Sequence, residues 1–206
     1  MPLIELPVPG TPAPLPQRIR SILNAADQLI DELDSTGRVT GFVPSDYPAA
    51  YHLLQGLMAS NVARGSRFCE WGSGFGVVTS LASELGFDAC GIESDAELVE
   101  RARELAADFD LAADFVHGSF VPVNAESRIH AVGSYAWLTT EADFAYEELG
   151  EEIADLDIVY AYPWPDEEQV TEALFDRYAG MGAILITYHG EAGFRVRRKV
   201  RDKKRS

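Results

Sequence analysis

An acid followed by three alternating glycines, Glu70-Trp71-Gly72-Ser73-Gly74-Phe75-Gly76, is the part of this 206-residue sequence whose residue types and spacing say most about chemistry. The apolar run Arg67–Trp71 feeds into it as a strand, and a helical pattern starts near Val77. A strand, a glycine turn and a helix start make a ligand site. Glycines tolerate positive φ and carry no Cβ to hold a ligand off the backbone, and free N–H groups of the helix start are expected to face whatever lies over the turn. The register separates ligand classes: a dinucleotide turn, Gly-x-Gly-x-x-Gly, begun at Gly72 would need its third glycine where Val77 stands. A second acid, Glu93, closes the run Cys90-Gly91-Ile92-Glu93, and its distance from Gly76 suits one helix and one strand. Further on, His117-Gly118-Ser119-Phe120 ends a third apolar run, and Asp157-Ile158-Val159-Tyr160 continues into the stiff aromatic segment Ala161-Tyr162-Pro163-Trp164-Pro165. His52, His117, His130 and His189 are scattered, and none forms a short-spaced pair with another His or a Cys, so no metal site is expected.

The pattern Glu-x-Gly-x-Gly-x-Gly, followed by a strand-end acid, resembles the class I S-adenosylmethionine-dependent methyltransferases. That resemblance implies S-adenosylmethionine as cofactor and S-adenosylhomocysteine as product. It also implies Glu70 near the methionyl amino end, Gly72, Ser73, Gly74 and Gly76 along the methionyl and ribose portion, Glu93 and Ser94 at the ribose hydroxyls, and Gly118, Ser119 and Phe120 around the adenine. The family often has an acid at this third strand end; here Ser119 and Phe120 stand in its neighbourhood. Tyr160, Tyr162 and Pro163 fall where the family faces the transferred methyl group, although packing under the next helix accounts for the two tyrosines equally well. Amino-methylating relatives often carry Asn or Asp, Pro, Pro, aromatic there, and Tyr162-Pro163-Trp164-Pro165 lacks the amide or acid. A narrower resemblance, over residues 42 to 165, is to small protein-lysine methyltransferases related to the mitochondrial enzyme that modifies ATP-synthase subunit c. It rests on Phe42-Val43-Pro44-Ser45-Asp46 and the strand-four Tyr-x-x-Pro, implies cofactor contacts from Pro44 and Ser45, and lacks that family's hydrophobic membrane segment. Methyl transfer is an in-line displacement needing alignment and dryness but no covalent protein nucleophile.

Positioning these residues takes an α/β fold. Short apolar runs at 67–71, 88–93, 114–117, 156–162 and 183–188 alternate with helical periods at 76–85, 95–107 and 166–179, which predicts a Rossmann-like doubly wound sheet, mostly parallel, with right-handed crossovers. Two helices precede it: Ile19, Ile22, Leu23, Ala26, Leu29, Ile30 and Leu33 repeat at helical spacing up to Gly37, and Tyr51, Leu54, Leu57 and Met58 mark the second. The six prolines of residues 2–16 exclude helix and central strand, so residues 1–16 read as an extended arm. Residues 17–194 form the domain, with an insertion at 118–155 that shapes the acceptor site or decorates the surface, and residues 195–206 read as a basic tail. The carboxyl end is short for this fold, and Phe194-Arg195-Val196-Arg197 gives one edge strand at most, which predicts about six strands, completed by the N-terminal segment or by dimerisation.

Net charge is −16, and eight of the 17 Lys and Arg residues lie between Arg195 and Arg205 against the single acid Asp202. Nine cations then face 32 acids in the rest of the chain, a balance that repels phosphate backbones and favours a cationic protein or small-molecule acceptor. Nucleic acid is left only the tail as a contact. Cys69 and Cys90 sit in apolar runs as two buried thiols, and neither a signal peptide nor an apolar run of about 18 residues is present, so a cytoplasmic protein away from membranes is expected. The alternative to an enzyme is a non-catalytic module that keeps the fold and holds a partner through the tail or the insertion.

Overall fold

In each strand of the central sheet, neighbouring apolar residues go to opposite faces, and both faces are covered. Phe68, Ile158, Ile184 and Ile186 join one buried cluster, whereas Cys69, Val159 and Leu185 join another. The computed structural model describes residues 2–10, 12–35, 42–122, 125, 145–165 and 167–201, without the side chains of residues 33 and 34. Strand β2 (Arg67–Trp71) lies between β3 (Asp88–Glu93) and β5 (Ile158–Ala161), parallel to both. Strands β4 (Ala113–His117) and β6 (Ile184–Tyr188) extend the parallel set outward. Strand β7 (Phe194–Lys199) pairs antiparallel with β6, and β1 (Leu3–Leu6) pairs antiparallel with β7. The order is β1-β7-β6-β5-β2-β3-β4. Because the chain runs from β2 outward to β4 and then returns to β5 on the other side, the junction of β2 and β5 is a topological switch point, whose carboxyl end opens into a crevice.

Helices α1 (Gln17–Asp34), α2 (Tyr47–Ser60) and α3 (Val77–Glu84) feed the first cluster through Ile22, Leu54 and Leu81. Helix α4 (Ala96–Asp108) packs Val99, Ala102 and Ala106 with Phe115. Helices α5 (Ala145–Leu149) and α6 (Glu168–Tyr178) cover the opposite face, α6 through Val170, Leu174 and Phe175. Asp46 caps α2 by accepting from Ala49 N at 3.0 Å, with Pro48 in the first turn, where a missing N–H costs nothing.

One expectation needs correction, that of the basic tail, while those of the arm and the sheet become definite. The proline-rich arm is extended, and Leu3–Leu6, between Pro2 and Pro7, forms the edge strand, the place where prolines on either side leave the needed N–H groups intact. The sheet therefore has seven strands, with the N-terminal segment supplying the last. The basic run is not a solvated tail from Arg195 onward, since Arg195–Lys199 lie inside β7. Its side chains alternate: Val196 enters the core, while Arg197 and Lys199, at 4% and 2% exposure, face α6. There Arg197 Nη1 sits 2.6 Å from Glu172 Oε1, Arg195 Nη1 sits 3.8 Å from the same oxygen, and Lys199 Nζ donates to Ala179 O at 2.7 Å. Acids and a helix-end carbonyl make burial of these cations tolerable. Residues 202–206, and Tyr135, Trp137 and Phe144 of the expected insertion, lie outside the described residues. Cys69 and Cys90 are free and buried, opposite each other on β2 and β3.

Candidate active site

At the carboxyl end of β2 the chain turns through Gly72, Gly74 and Gly76, all at positive φ (74°, 52° and 66°), before α3 begins. The turn keeps its amides for itself. Gly72 N and Ser73 N donate to Ile92 O at 2.9 and 3.0 Å, Gly76 N donates to Ser73 O at 2.7 Å, and Gly74 N donates to Glu93 Oε2 at 2.9 Å. The expectation of free N–H groups facing a ligand is thus corrected for these four amides. What the turn offers is backbone bare of side chains, bordered by carboxylates. A Cβ on Gly74 would lie 2.6 Å from the Phe42 ring, which covers the turn and meets Phe75 edge-on at 4.9 Å. Gly76 is different, because its missing Cβ makes room for Phe115 and Ala102 beneath the turn.

Glu93 is fixed at the mouth. Its Oε1 accepts from Ser94 N at 2.7 Å and Asp95 N at 3.0 Å, while Oε2 bridges to Gly74. Asp95 in turn caps α4 by accepting from Glu97 N at 2.8 Å. Glu70, 5% exposed, accepts at Oε2 from Thr79 N at 2.9 Å and Thr79 Oγ1 at 2.6 Å. Burial pushes its carboxyl up to about 8, the nearby Glu93 charge adds to the rise, and the two Thr79 hydrogen bonds oppose it. Burial, with Glu70 and Asp27 nearby, also raises the Tyr47 phenol above its ordinary value.

One cavity of about 590 Å³ gathers most of the residues singled out by sequence: Glu70, Gly72, Ser73, Gly74, Glu93 and Ser94 on one side, Gly118, Ser119 and Phe120 on another, and Ser45, Tyr162 and Pro163 opposite. This is within the size range of ligand sites. Three expected residues do not line it. Pro44 is exposed beside the cavity wall. Gly76 packs α3 on Phe115, and Tyr160, 1% exposed in the core, donates its hydroxyl to Ser45 Oγ at 2.9 Å. Tyr160 thus anchors the Phe42–Asp46 segment and does not face the reacting atoms. Phe120 stacks on Trp71 with ring centroids 5.0 Å apart and planes 4° from parallel, so one of its faces is already taken. Ser119 Oγ accepts from Val121 N at 3.0 Å.

Asp95, Leu98, Glu167, Glu168, Thr171 and His189, not among the site residues expected from sequence, also line the cavity, as does Phe42. Asp95 had a signal, a helix cap two residues after a strand-end acid. His189 had none, since it reaches the site only because β6 ends beside β5. Among the described residues no group of three or more His, Cys, Asp or Glu could hold a metal ion, and no helix is long and apolar enough to cross a membrane.

No protein-family model matches the sequence, and no curated protein matches it. Solved structures do match. A methyltransferase from Geobacter sulfurreducens superposes at a TM-score of 0.59 with 12% identity, over 91% of this chain and 93% of that one. An RNA methyltransferase from Salinibacter ruber in complex with S-adenosyl-L-homocysteine gives a TM-score of 0.51 and 20% identity, over 76% and 92%. An O-methyltransferase from Bacillus cereus, also in complex with that product, gives 0.50 and 12%, over 84% and 66%. At these identities the likeness is one of fold: the chain has the Rossmann-like fold of class I methyltransferases, with one antiparallel end to its sheet.

Proposed function

We propose that this protein is an S-adenosylmethionine-dependent methyltransferase acting on an amine or other polar group of a protein or small molecule. The supporting observation is the chemistry of the glycine turn. A dinucleotide or nucleotide phosphate needs N–H donors from such a turn, and here Gly72, Ser73 and Gly76 give theirs to backbone carbonyls and Gly74 gives its own to Glu93. Bare backbone between two carboxylates suits instead a cofactor that carries hydroxyls and positive charge and no phosphate. Glu70 would meet its ammonium, Glu93 its ribose hydroxyls, Gly72 and Gly74 its methionyl portion, and Ser119 with the Trp71–Phe120 pair its adenine. When bound, the cofactor supplies an electrophilic methyl on a sulfonium. This chain's part is to align the acceptor and exclude water, with Phe42 over the turn and the Tyr162-Pro163-Trp164 segment forming opposed walls.

A cationic acceptor is favoured by the lining itself. Five carboxyl residues, Glu70, Glu93, Asp95, Glu167 and Glu168, border the cavity, and among the described residues no Lys or Arg does. Phosphate or carboxylate acceptors would enter a field of their own sign. The narrower likeness to lysine methyltransferases gains nothing from Pro44, which stands off the cavity. The binding-module reading loses the support of Arg195, Arg197 and Lys199, which are engaged within the chain. Calorimetric titration with S-adenosylmethionine and S-adenosylhomocysteine tests the proposal. It expects dissociation constants well below millimolar, the point at which binding amounts to about −4 kcal/mol.

A further inference from the structure

Beyond β5 from the strand that leads into the glycine turn, a second polar group of the cavity lining is built from β6 and the start of α6. Glu168 opens α6, with its side chain 36% exposed in the cavity wall. Its Oε1 lies 2.9 Å from His189 Nδ1, and His189 Nε2 lies 2.8 Å from Thr187 Oγ1, a residue only 1% exposed. For a neutral imidazole these distances favour one arrangement: the Thr187 hydroxyl donates to Nε2, and Nδ1–H donates to the carboxylate, since the other tautomer would set a lone pair against Glu168. The buried threonine thereby fixes the ring, and the ring fixes the carboxylate, in the way outer partners orient a functional group. This takes one oxygen of Glu168; Oε2 has no protein hydrogen-bond partner among the described residues.

Aromatic side chains line the same cavity. Tyr162 and Trp164 line it, and the Tyr162 ring is held edge-on by Tyr188 at 4.7 Å. A held carboxylate oxygen beside aromatic walls is a site for an organic cation, which gains from both the charge and the ring quadrupoles. Glu70 and Glu93 serve the turn, and Arg195, whose charge acts on Glu168, donates to Glu5 and does not line the cavity, so Glu168 Oε2 can meet an acceptor.

We infer that Glu168 holds the methyl acceptor, that the acceptor is an amine bound as its ammonium, and that His189 is a positioning residue acting through Glu168. The ammonium passes one proton through the half-exposed Glu168 carboxylate to water, so that its nitrogen lone pair forms the N–C bond as the S–C bond breaks and S-adenosylhomocysteine leaves. This inference rests on the methyl-transfer reading and narrows its substrate class. It accounts for a Tyr162-Pro163-Trp164-Pro165 segment without an amide or acid of its own, because the acid arrives from the next helix.

The test is calorimetric titration of the full chain, saturated with S-adenosylhomocysteine, with benzylamine, benzyl alcohol and benzoate, and with a lysine-containing peptide and its acetyllysine counterpart. An amine binds and its neutral and anionic analogues do not; whether benzylamine or the lysine peptide binds tells a free amine from a protein side chain. Glu168→Gln weakens the amine at least tenfold, and Glu168→Asp recovers part of the loss. His189→Ala weakens it several-fold, and His189→Asn, whose side-chain NH2 can replace Nδ1–H, restores it. Affinity for S-adenosylhomocysteine stays the same in all four variants. Equal binding of benzyl alcohol or benzoate, no binding of either amine, or an unchanged amine affinity in Glu168→Gln overturns the inference. A wild-type chain that fails to bind S-adenosylhomocysteine defeats the methyl-transfer reading at an earlier and separate step.

Discussion

Replacing Glu70 with Gln removes a carboxyl that the fold prefers to keep neutral. A rise from 4.5 to about 8 corresponds to a ceiling of about 5 kcal/mol on the cost of ionising it in the folded state. Relaxation and water at the cavity leave about 2 to 4 kcal/mol to be observed. Because the folded state holds this proton more tightly than the unfolded chain, the contribution is fully present below about 4.5 and is lost as pH rises through about 8. Gln stays neutral and can still accept from Thr79 N and Thr79 Oγ1, so the variant keeps the local hydrogen bonds. Urea unfolding of both proteins at pH 5, 7 and 9 should show near-equal stability at the lowest value and a variant more stable by that margin at the highest. A gap that stays flat with pH, or one that closes as pH rises, would show that Glu70 is already ionised at neutrality and would refute the reasoning. Cofactor binding should reverse the preference, since an ammonium beside Glu70 favours its charged form. Titrations at pH 7 in two buffers of different ionisation enthalpy should therefore show a proton released by the wild type, and none by the weaker-binding Glu70→Gln variant.

Three other substitutions separate binding from folding. Gly74→Val puts a side chain into the Phe42 ring at a φ of 52°, and should cost at least tenfold in S-adenosylhomocysteine affinity with the far-ultraviolet circular dichroism unchanged. Gly76→Ala collides with Phe115 and Ala102 under the turn, so it should lower unfolding stability by about 1–3 kcal/mol, an effect read by urea denaturation. Glu172→Ala leaves Arg197 buried without its carboxylate partner and should cost about 3 kcal/mol; a change below about 0.5 kcal/mol in the same assay would mark the pair as a solvated surface contact.

Where the sequence was legible, one period dominated. The parallel strands read clearly because Phe68-Cys69, Ile158-Val159 and Ile184-Leu185 are apolar on both faces, and the glycine turn read clearly because little besides a tight strand-to-helix turn requires that spacing. β7 is legible only in part: Phe194-Arg195-Val196-Arg197 reads as an edge strand, but its charge conceals that it is buried. Arg195, Arg197 and Lys199 look like a solvated tail until α6 supplies Glu172 and the Ala179 carbonyl, and that partnership spans a distance no local pattern carries. Tyr160 and Tyr162 were treated alike, yet one lies inside the buried strand and the other beyond its end, so the first enters the core and the second the cavity. For the third-strand acid missing from the resemblance, Ser119 and Phe120 are legible as substitutes, but the stacking of Phe120 on Trp71 is not, because it joins two strand ends. Glu168 and His189 come together only through the meeting of β6 and α6.

A glycine turn whose amides are already engaged, set between Glu70 and Glu93, should take a sulfonium nucleoside and refuse a dinucleotide. Isothermal titration of the full chain with S-adenosylmethionine, S-adenosylhomocysteine and NAD measures this directly. Saturable heat for the first two well below millimolar, with none for NAD, is the expected result; silence from both sulfur ligands, or tighter binding of NAD, would contradict the account.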